Sequence, residues 1–245
     1  MKRILDVAVA IIGLFVASPV LAVVLFLIWA NDFASPFYLS YRIGRNGRSF
    51  RMIKLRSMRV GADRSGVSST SSGDARITPV GHFLRSWKLD EVVQLWNVLK
   101  GDMSLVGPRP NVGPKGVDLY SSEEMRLLSV RPGITDLSSI VFSDEGEILA
   151  GSSDPDRSYD ELIRPWKSRL GLIYIDHVSV GLDLEIIYIT ILSLVSRRAA
   201  LSRVEAILAS LSAPPDLLRV AKRVDKLTPS LPPGNDYQVM DSRLS

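Results

Sequence analysis

Residues 7–30 read VAVAIIGLFVASPVLAVVLFLIWA, with no charge and with Ser18-Pro19 near the middle. An uncharged run of this length can cross a bilayer as a helix, which takes roughly 20 apolar residues. Proline removes a helical hydrogen bond and bends the rod. Lys2 and Arg3 precede the run. A larger basic block follows it: Arg42, Arg45, Arg48, Arg51, Lys54, Arg56 and Arg59, with no acid between Tyr41 and Val60. Positive flanks favour the cytoplasmic side. A straight span cannot place both flanks there, whereas a helix that enters, bends at Ser18-Pro19 and returns can. The Ser18 hydroxyl can occupy a backbone carbonyl near the proline break. Kinks at proline also occur in ordinary spans, so it is the flank charges that favour a re-entrant helix-break-helix over residues 1–35. Asp6, at the start of the segment, is expected to stay near the head groups. A cleaved signal peptide fits poorly, because its apolar region is normally about 7–15 residues.

The chain has 245 residues and a net charge of +4, enough for an anchor and one substantial domain. Beside a membrane segment, the basic block suits anionic lipid or phosphate. Part of it serves simply as a solvated positive flank. A nucleic-acid partner would require stacking aromatics among the cations, and Tyr41 and Phe50 are too few. The absence of cysteine excludes disulfides and thiol nucleophiles, and with only His82 and His177 a His-rich metal site is disfavoured.

Downstream, the pattern is that of a helix-rich mixed α/β domain. Residues 36–58 read as extended, with Asn46-Gly47 as a hairpin turn. Residues 61–73 read as a Ser/Gly-rich mobile loop. Residues 86–99 have helical periodicity, with Leu89, Val92, Val93, Trp96 and Leu99 on one apolar arc. Asp90, Glu91, Gln94 and Asn97 fall on the other side, ordinarily a solvated face. Gly101 ends this helix, and Gly107-Pro108-Arg109-Pro110 makes a stiff loop. Residues 166–196 read as core helices lying partly on the membrane surface. Residues 200–227 read as two short basic helices split by Pro214-Pro215, followed by a disordered tail. The expected organisation is an anchor over 1–35, a catalytic domain over 36–198, and C-terminal helices and tail over 199–245.

The run from Arg76-Ile77-Thr78-Pro79 through Leu89-Asp90-Glu91, Gln94-Leu95-Trp96-Asn97-Val98-Leu99-Lys100-Gly101-Asp102-Met103-Ser104 and Gly107-Pro108-Arg109-Pro110 closely resembles the bacterial sugar transferases, the monotopic phosphoglycosyl transferase family. Lys54-Leu55-Arg56-Ser57-Met58 and Arg131-Pro132-Gly133-Ile134-Thr135 are similar to two further blocks of that family. The apolar segment with Ser18-Pro19 resembles its re-entrant helix. The likeness extends over residues 1–195 or so.

The resemblance implies transfer of sugar-1-phosphate from a UDP-sugar to polyprenyl (undecaprenyl) phosphate, giving UMP and a polyprenyl diphosphate sugar. This is the first membrane step of surface-glycan synthesis. It implies Mg²⁺, an active site on the cytoplasmic face of the bacterial inner membrane, and a minimal member made of anchor plus catalytic domain. It assigns Asp90 as the nucleophile of a covalent intermediate, with Glu91 beside it for Mg²⁺ or proton handling, and Arg85 as a nearby cation. Lys54, Arg56, Arg109 and Arg131 are further phosphate-contact candidates, because cations neutralise the crowded phosphate oxygens. Arg109 is held rigidly between prolines, and Lys54 and Arg56 alternate on the expected strand and so can face one site. The sequence departs from the family at Val92-Val93 and at Asp136-Leu137-Ser138-Ser139-Ile140, so the sugar is not carried over. A homodimer is compatible with the sequence, which decides neither for nor against it.

Overall fold

A computed structural model of the chain describes residues 1–62, 73–111 and 113–235. The predicted mobile loop at 61–73 falls almost wholly outside them. In place of the expected helix-break-helix over residues 1–35, α1 runs from Lys2 to Asp32 as one uninterrupted helix with Pro19 inside it. Pro19 cannot donate to the carbonyl of Phe15, four residues back. The Ser18 hydroxyl donates to that carbonyl instead, at 2.7 Å, so the helix continues through the proline. The buried positions of α1, Asp6, Ala10, Val24 and Ile28, form two pairs four residues apart on one side of the helix. Phe15, Val16, Val20, Val23 and Phe26 on the other faces are bare. The helix is long and apolar enough to cross a membrane, yet only 11% of its most apolar window is buried in the protein.

Both ends of α1 are tied to the rest of the chain. Lys2 donates to Asp183 (2.5 Å), to the Tyr174 hydroxyl and to the Val106 carbonyl. Arg3 donates to the carbonyls of Val98 and Leu99. Asp6, expected beside the head groups, is buried in the protein, where it accepts from the Ser104 hydroxyl and the Leu105 N–H. A short polar side chain about one turn into the helix satisfies a strand end that would otherwise be unpaired in the interior. At the far end, Asp32 and Arg56 form a two-pronged ion pair with both contacts at 2.6 Å.

Strands β1 (Phe37–Ile43) and β2 (Ser49–Leu55) form the predicted antiparallel hairpin, with Tyr38 opposite Lys54 and Arg42 opposite Phe50. Asn46 and Gly47 supply the positive φ values (58° and 73°) that its turn requires. The hairpin leads to α2 (Pro79–Ser86), whose N-terminus is capped by the Thr78 hydroxyl accepting from the Gly81 N–H. Gly81 is needed for close approach, since a Cβ there would lie 1.8 Å from the Ser57 carbonyl oxygen. α1, β2, α2 and the 3₁₀ helix over Leu89–Gln94 share a small core of Val24, Ile28, Leu55, Leu84 and Val93.

The expected continuous helix over 86–99 is broken. Lys88 sits in the left-handed region (φ 53°), a 3₁₀ helix follows over Leu89–Gln94, and α3 runs from Leu95 to Lys100. The tighter winding rotates the polar residues inward: Asp90, Gln94 and Asn97 are buried while Trp96 is 53% exposed. The solvated reading of that face is therefore overturned. Asn97 shows why. Its amide accepts from the Ile53 N–H and donates to the Arg51 carbonyl, replacing a neighbouring strand on the free edge of β2.

Strands β3 (Ser104–Val106) and β4 (Gly133–Thr135) pair in parallel, and α4 (Gly113–Asp118) lies between them in sequence. The remaining chain is helical: α5 (Leu137–Val141), α6 (Glu145–Ile148), α7 (Pro155–Leu162), α8 (Arg164–Asp176), α9 (Val180–Val195), α10 (Arg197–Ser210) and α11 (Pro215–Lys222). Leu137, Ile140, Leu170, Ile186, Ile189, Val204 and Leu208 from these helices build the main core beneath β3. On α9, Leu184, Tyr188, Ile191 and Val195 are exposed at helical spacing. The C-terminal segment runs back across the helices, where the Ser230 N–H donates to the Glu161 carbonyl.

Candidate active site

Three elements converge on the Asp90-Glu91 pair. The 3₁₀ helix carries the two carboxylates, β2 brings Lys54, and the loop after β3 brings Arg109. Lys54 donates to Glu91 Oε1 at 2.9 Å. The Arg109 guanidinium holds the same carboxylate with two nitrogens, one on each oxygen. The Arg109 loop is fastened to β4: the Gly107 N–H donates to the Thr135 carbonyl, and the Gly133 N–H donates to the Pro108 carbonyl, each at 3.1 Å. A Cβ on Gly107 would come within 2.4 Å of the Arg131 carbonyl oxygen, so only glycine permits this docking. The rigidity read from Pro108 and Pro110 is thus completed by backbone hydrogen bonds.

Arg85, in the last turn of α2, donates to the Ser57 hydroxyl at 3.0 Å and lies in the field of Asp90. The other two predicted cations lie elsewhere. Arg56 follows the end of β2 and turns to Asp32, so it does not share a direction with Lys54. Arg131 donates to the Gly101 carbonyl at 2.9 Å, closing the C-terminus of α3. Ser18 and Pro19 lie within α1, as described above. Asp102 accepts from Lys100 and Asn97, a helix-ending role.

The two carboxylates have been driven apart electrostatically. Burial holds the Asp90 carboxyl above its ordinary value of 3.8; Lys54 pulls the other way and Glu91 adds to the rise. Among the described residues Asp90 accepts no hydrogen bond. Burial would raise Glu91 too, but Arg109 and Lys54 outweigh it and hold the carboxyl well below the usual range. In return, Glu91 raises the Arg109 guanidinium above its ordinary value. Burial lowers Arg85. Two neighbouring acids with opposite shifts are suited to different tasks. Glu91 is a permanent anion that positions cations. Asp90 is a carboxylate with uncommitted oxygens in a cation-rich setting. One turn on, the buried Gln94 Nε2 has no hydrogen-bond partner among the described residues.

Sequence reasoning passed over Lys88 and Arg42 at this site. Both are drawn into the field of Glu91 and Arg109. Lys88 stands two residues before Asp90, and its left-handed backbone leaves no signal in the side-chain pattern.

The site thus sets two neighbouring carboxylates, buried Asp90 and partly buried Glu91, among Lys54, Arg85 and Arg109. The chain belongs to the bacterial sugar transferase family, whose pattern matches residues 1–197. It is similar to the galactosyl transferase CpsE of Streptococcus agalactiae, with 37% identity over 201 residues, covering 78% of this chain and 41% of that protein. It is similar to a putative undecaprenyl-phosphate N-acetylgalactosaminyl 1-phosphate transferase of Bacillus subtilis, with 44% identity over 109 residues, covering 44% and 61%. It is also similar to the UDP-glucose:undecaprenyl-phosphate glucose-1-phosphate transferase of Klebsiella pneumoniae, with 33% identity over 192 residues, covering 78% and 39%. The chain thus matches about two fifths to three fifths of the length of these relatives.

Proposed function

We propose that this chain transfers sugar-1-phosphate from a UDP-sugar to polyprenyl phosphate in two displacements. An Asp90 carboxylate oxygen attacks the sugar-bearing phosphorus. The bond from that phosphorus to the bridging oxygen breaks, and UMP leaves with the electron pair. A phosphate oxygen of polyprenyl phosphate then attacks the same phosphorus and expels Asp90, giving a polyprenyl diphosphate sugar. Phosphoryl transfer of this kind is mainly a matter of positioning and charge neutralisation. Arg85, Lys54 and Arg109 supply the positive charge, and Glu91 fixes the last two in place. With its carboxyl depressed, Glu91 is a poor proton acceptor, so its part is electrostatic.

The donor set fits Mg²⁺, which takes one or two carboxylates and completes its shell with substrate phosphates and water. Asp90 has oxygens free of hydrogen-bond donors, and Glu91 adjoins it. When bound, the ion would neutralise diphosphate charge. Asp90 and Glu91 would hold it.

The observation that carries this reading is the uncommitted Asp90 carboxylate beside a Glu91 saturated by two cations. The anchor supports it. Ion pairs at both Lys2 and Asp32 bind the two ends of α1 to one domain, which suits a helix that dips into a single leaflet from the cytoplasmic face of the inner membrane. The exposed apolar rows of α1 and α9 would meet lipid there. The names of the relatives include galactosyl, N-acetylgalactosaminyl and glucose transfer, and these define the donors to try. Incubation with each UDP-sugar and Mg²⁺, without acceptor, should add one phosphosugar mass to the peptide containing Asp90. Release of UMP with no adduct on that peptide would favour direct transfer and remove the covalent step.

A further inference from the structure

Two cations of the site have no acid of their own. Lys88 stands at φ 53°, ψ 23°, a region glycine enters freely and other residues only under strain. Its ammonium lies in the field of Glu91, Arg109, Asp136 and Asp90, yet among the described residues it makes no hydrogen bond or ion pair. The acids around it are already engaged: Glu91 by Lys54 and Arg109, Asp136 by Ser138 and Ser139. Only Asp90 remains. Arg42 lies on the same face of the hairpin as Lys54, because directly opposed residues share a face and the pairs on it are Tyr38–Lys54, Ser40–Met52 and Arg42–Phe50. Among the described residues, its side chain makes one hydrogen bond, from Nε to the Ser40 hydroxyl at 3.3 Å. Burial, and then the like charge of Arg109, push Arg42 down to about 10.

A partly buried cation without a counter-charge is costly, and like charges crowded together add to the cost. A polyanion entering between them removes both penalties. We propose that Arg42 and Lys88 are ligand-contacting residues of this site and bind the phosphate oxygens of the diphosphate donor. The assignment rests on the function proposed above and gives it two recognition residues besides Lys54, Arg85 and Arg109.

The test is calorimetric titration of the full chain in lipid nanodiscs with inorganic pyrophosphate and with UDP, in the presence of Mg²⁺. Lys88→Gly and Arg42→Gln should each weaken pyrophosphate binding about tenfold or more, the loss expected for one charge-assisted contact. Lys88→Arg and Arg42→Lys should recover most of it, and Arg48→Gln, an exposed member of the same basic block, should match the parent. Because glycine is at ease at φ 53°, Lys88→Gly should melt no lower than the parent, which separates lost recognition from lost folding. Pyrophosphate affinity unchanged in both Lys88→Gly and Arg42→Gln would overturn the inference, even with the Asp90 adduct still forming. Binding that depends on both residues, without an adduct from any UDP-sugar, would uphold it and remove the proposed reaction instead.

Discussion

Lys54 Nζ lies 2.9 Å from Glu91 Oε1, and Arg109 grips the same carboxylate from the loop after β3. One acid therefore joins three elements: the hairpin, the 3₁₀ helix and the β3–β4 connection. Glu91→Gln would leave two cations crowded without a counter-charge. Removing one partner of a buried pair costs about 3–5 kcal/mol, and the partial exposure of Arg109 reduces this to roughly 2–4 kcal/mol. Thermal melting in nanodiscs should show the loss; an unchanged midpoint would mean the clasp is dispensable. Because the folded carboxyl lies below its ordinary 4.5, its contribution is complete above that value. It drains away as pH falls below 4.5 toward the depressed value. The parent should lose stability over that range, and Glu91→Gln should lack this acid-sensitive component.

Asp90 has the opposite sign. Its carboxyl is raised by burial, so the folded state holds the proton more tightly than the unfolded chain does. The stabilisation is complete below the ordinary 3.8 and is lost as pH rises through the raised value. Ionised Asp90 is thus a burden at neutral pH. Asp90→Asn should stabilise the protein by about 1 kcal/mol at pH 7.5, with the advantage shrinking on acidification. A variant that melts lower than the parent at pH 7.5 would count against this reading of the site.

The Ser18 hydroxyl occupies the carbonyl that Pro19 leaves without a donor. Pro19→Ala restores an ordinary helical bond, worth roughly 3 kcal/mol per interior proline, and with Ser18→Ala should shift the anchor toward a full span. Single cysteines placed at Met1 and Ser35 report the topology. A membrane-impermeant thiol reagent should reach both from the same side in the parent and from opposite sides in the double variant. Opposite-side labelling in the parent would sink the re-entrant arrangement.

At the other end of the anchor, Asp183 is buried and accepts from Lys2 and the Tyr174 hydroxyl. Lys2→Met strands that acid. The cost should be roughly 2–3 kcal/mol after allowing for the partial exposure of Lys2. The loss in Lys2→Met/Asp183→Asn should fall short of the summed single losses by about 1 kcal/mol or more. Strictly additive losses would show that the two side chains do not interact.

Much of this arrangement could be read in the sequence because its signals are local. Asn46-Gly47 announces the hairpin, Thr78-Pro79 opens α2, and the uncharged run from Val7 to Ala30 announces α1. The active site is less legible. A helical wheel placed Asp90, Gln94 and Asn97 on a wet face because it assumed uniform winding from Ser86 to Leu99. The left-handed Lys88 and the 3₁₀ turn break that assumption, and the buried Asn97 is explained only by the free edge of β2, 44 residues away for its Ile53 contact. Asp6 and Arg56 have the same lesson: each charged group is settled by a partner remote in the chain, Ser104 and Asp32 respectively, that no periodicity predicts.

The central claim is that Asp90 performs the displacement. The most direct measurement is UMP release from UDP-glucose, UDP-galactose and UDP-N-acetylgalactosamine with polyprenyl phosphate and Mg²⁺, comparing the parent with Asp90→Asn in nanodiscs. The account predicts release by the parent with at least one donor and a loss of at least about a thousandfold in the variant, the scale on which nucleophile removal acts, with membrane association unchanged. Release by Asp90→Asn at a rate near that of the parent would contradict it.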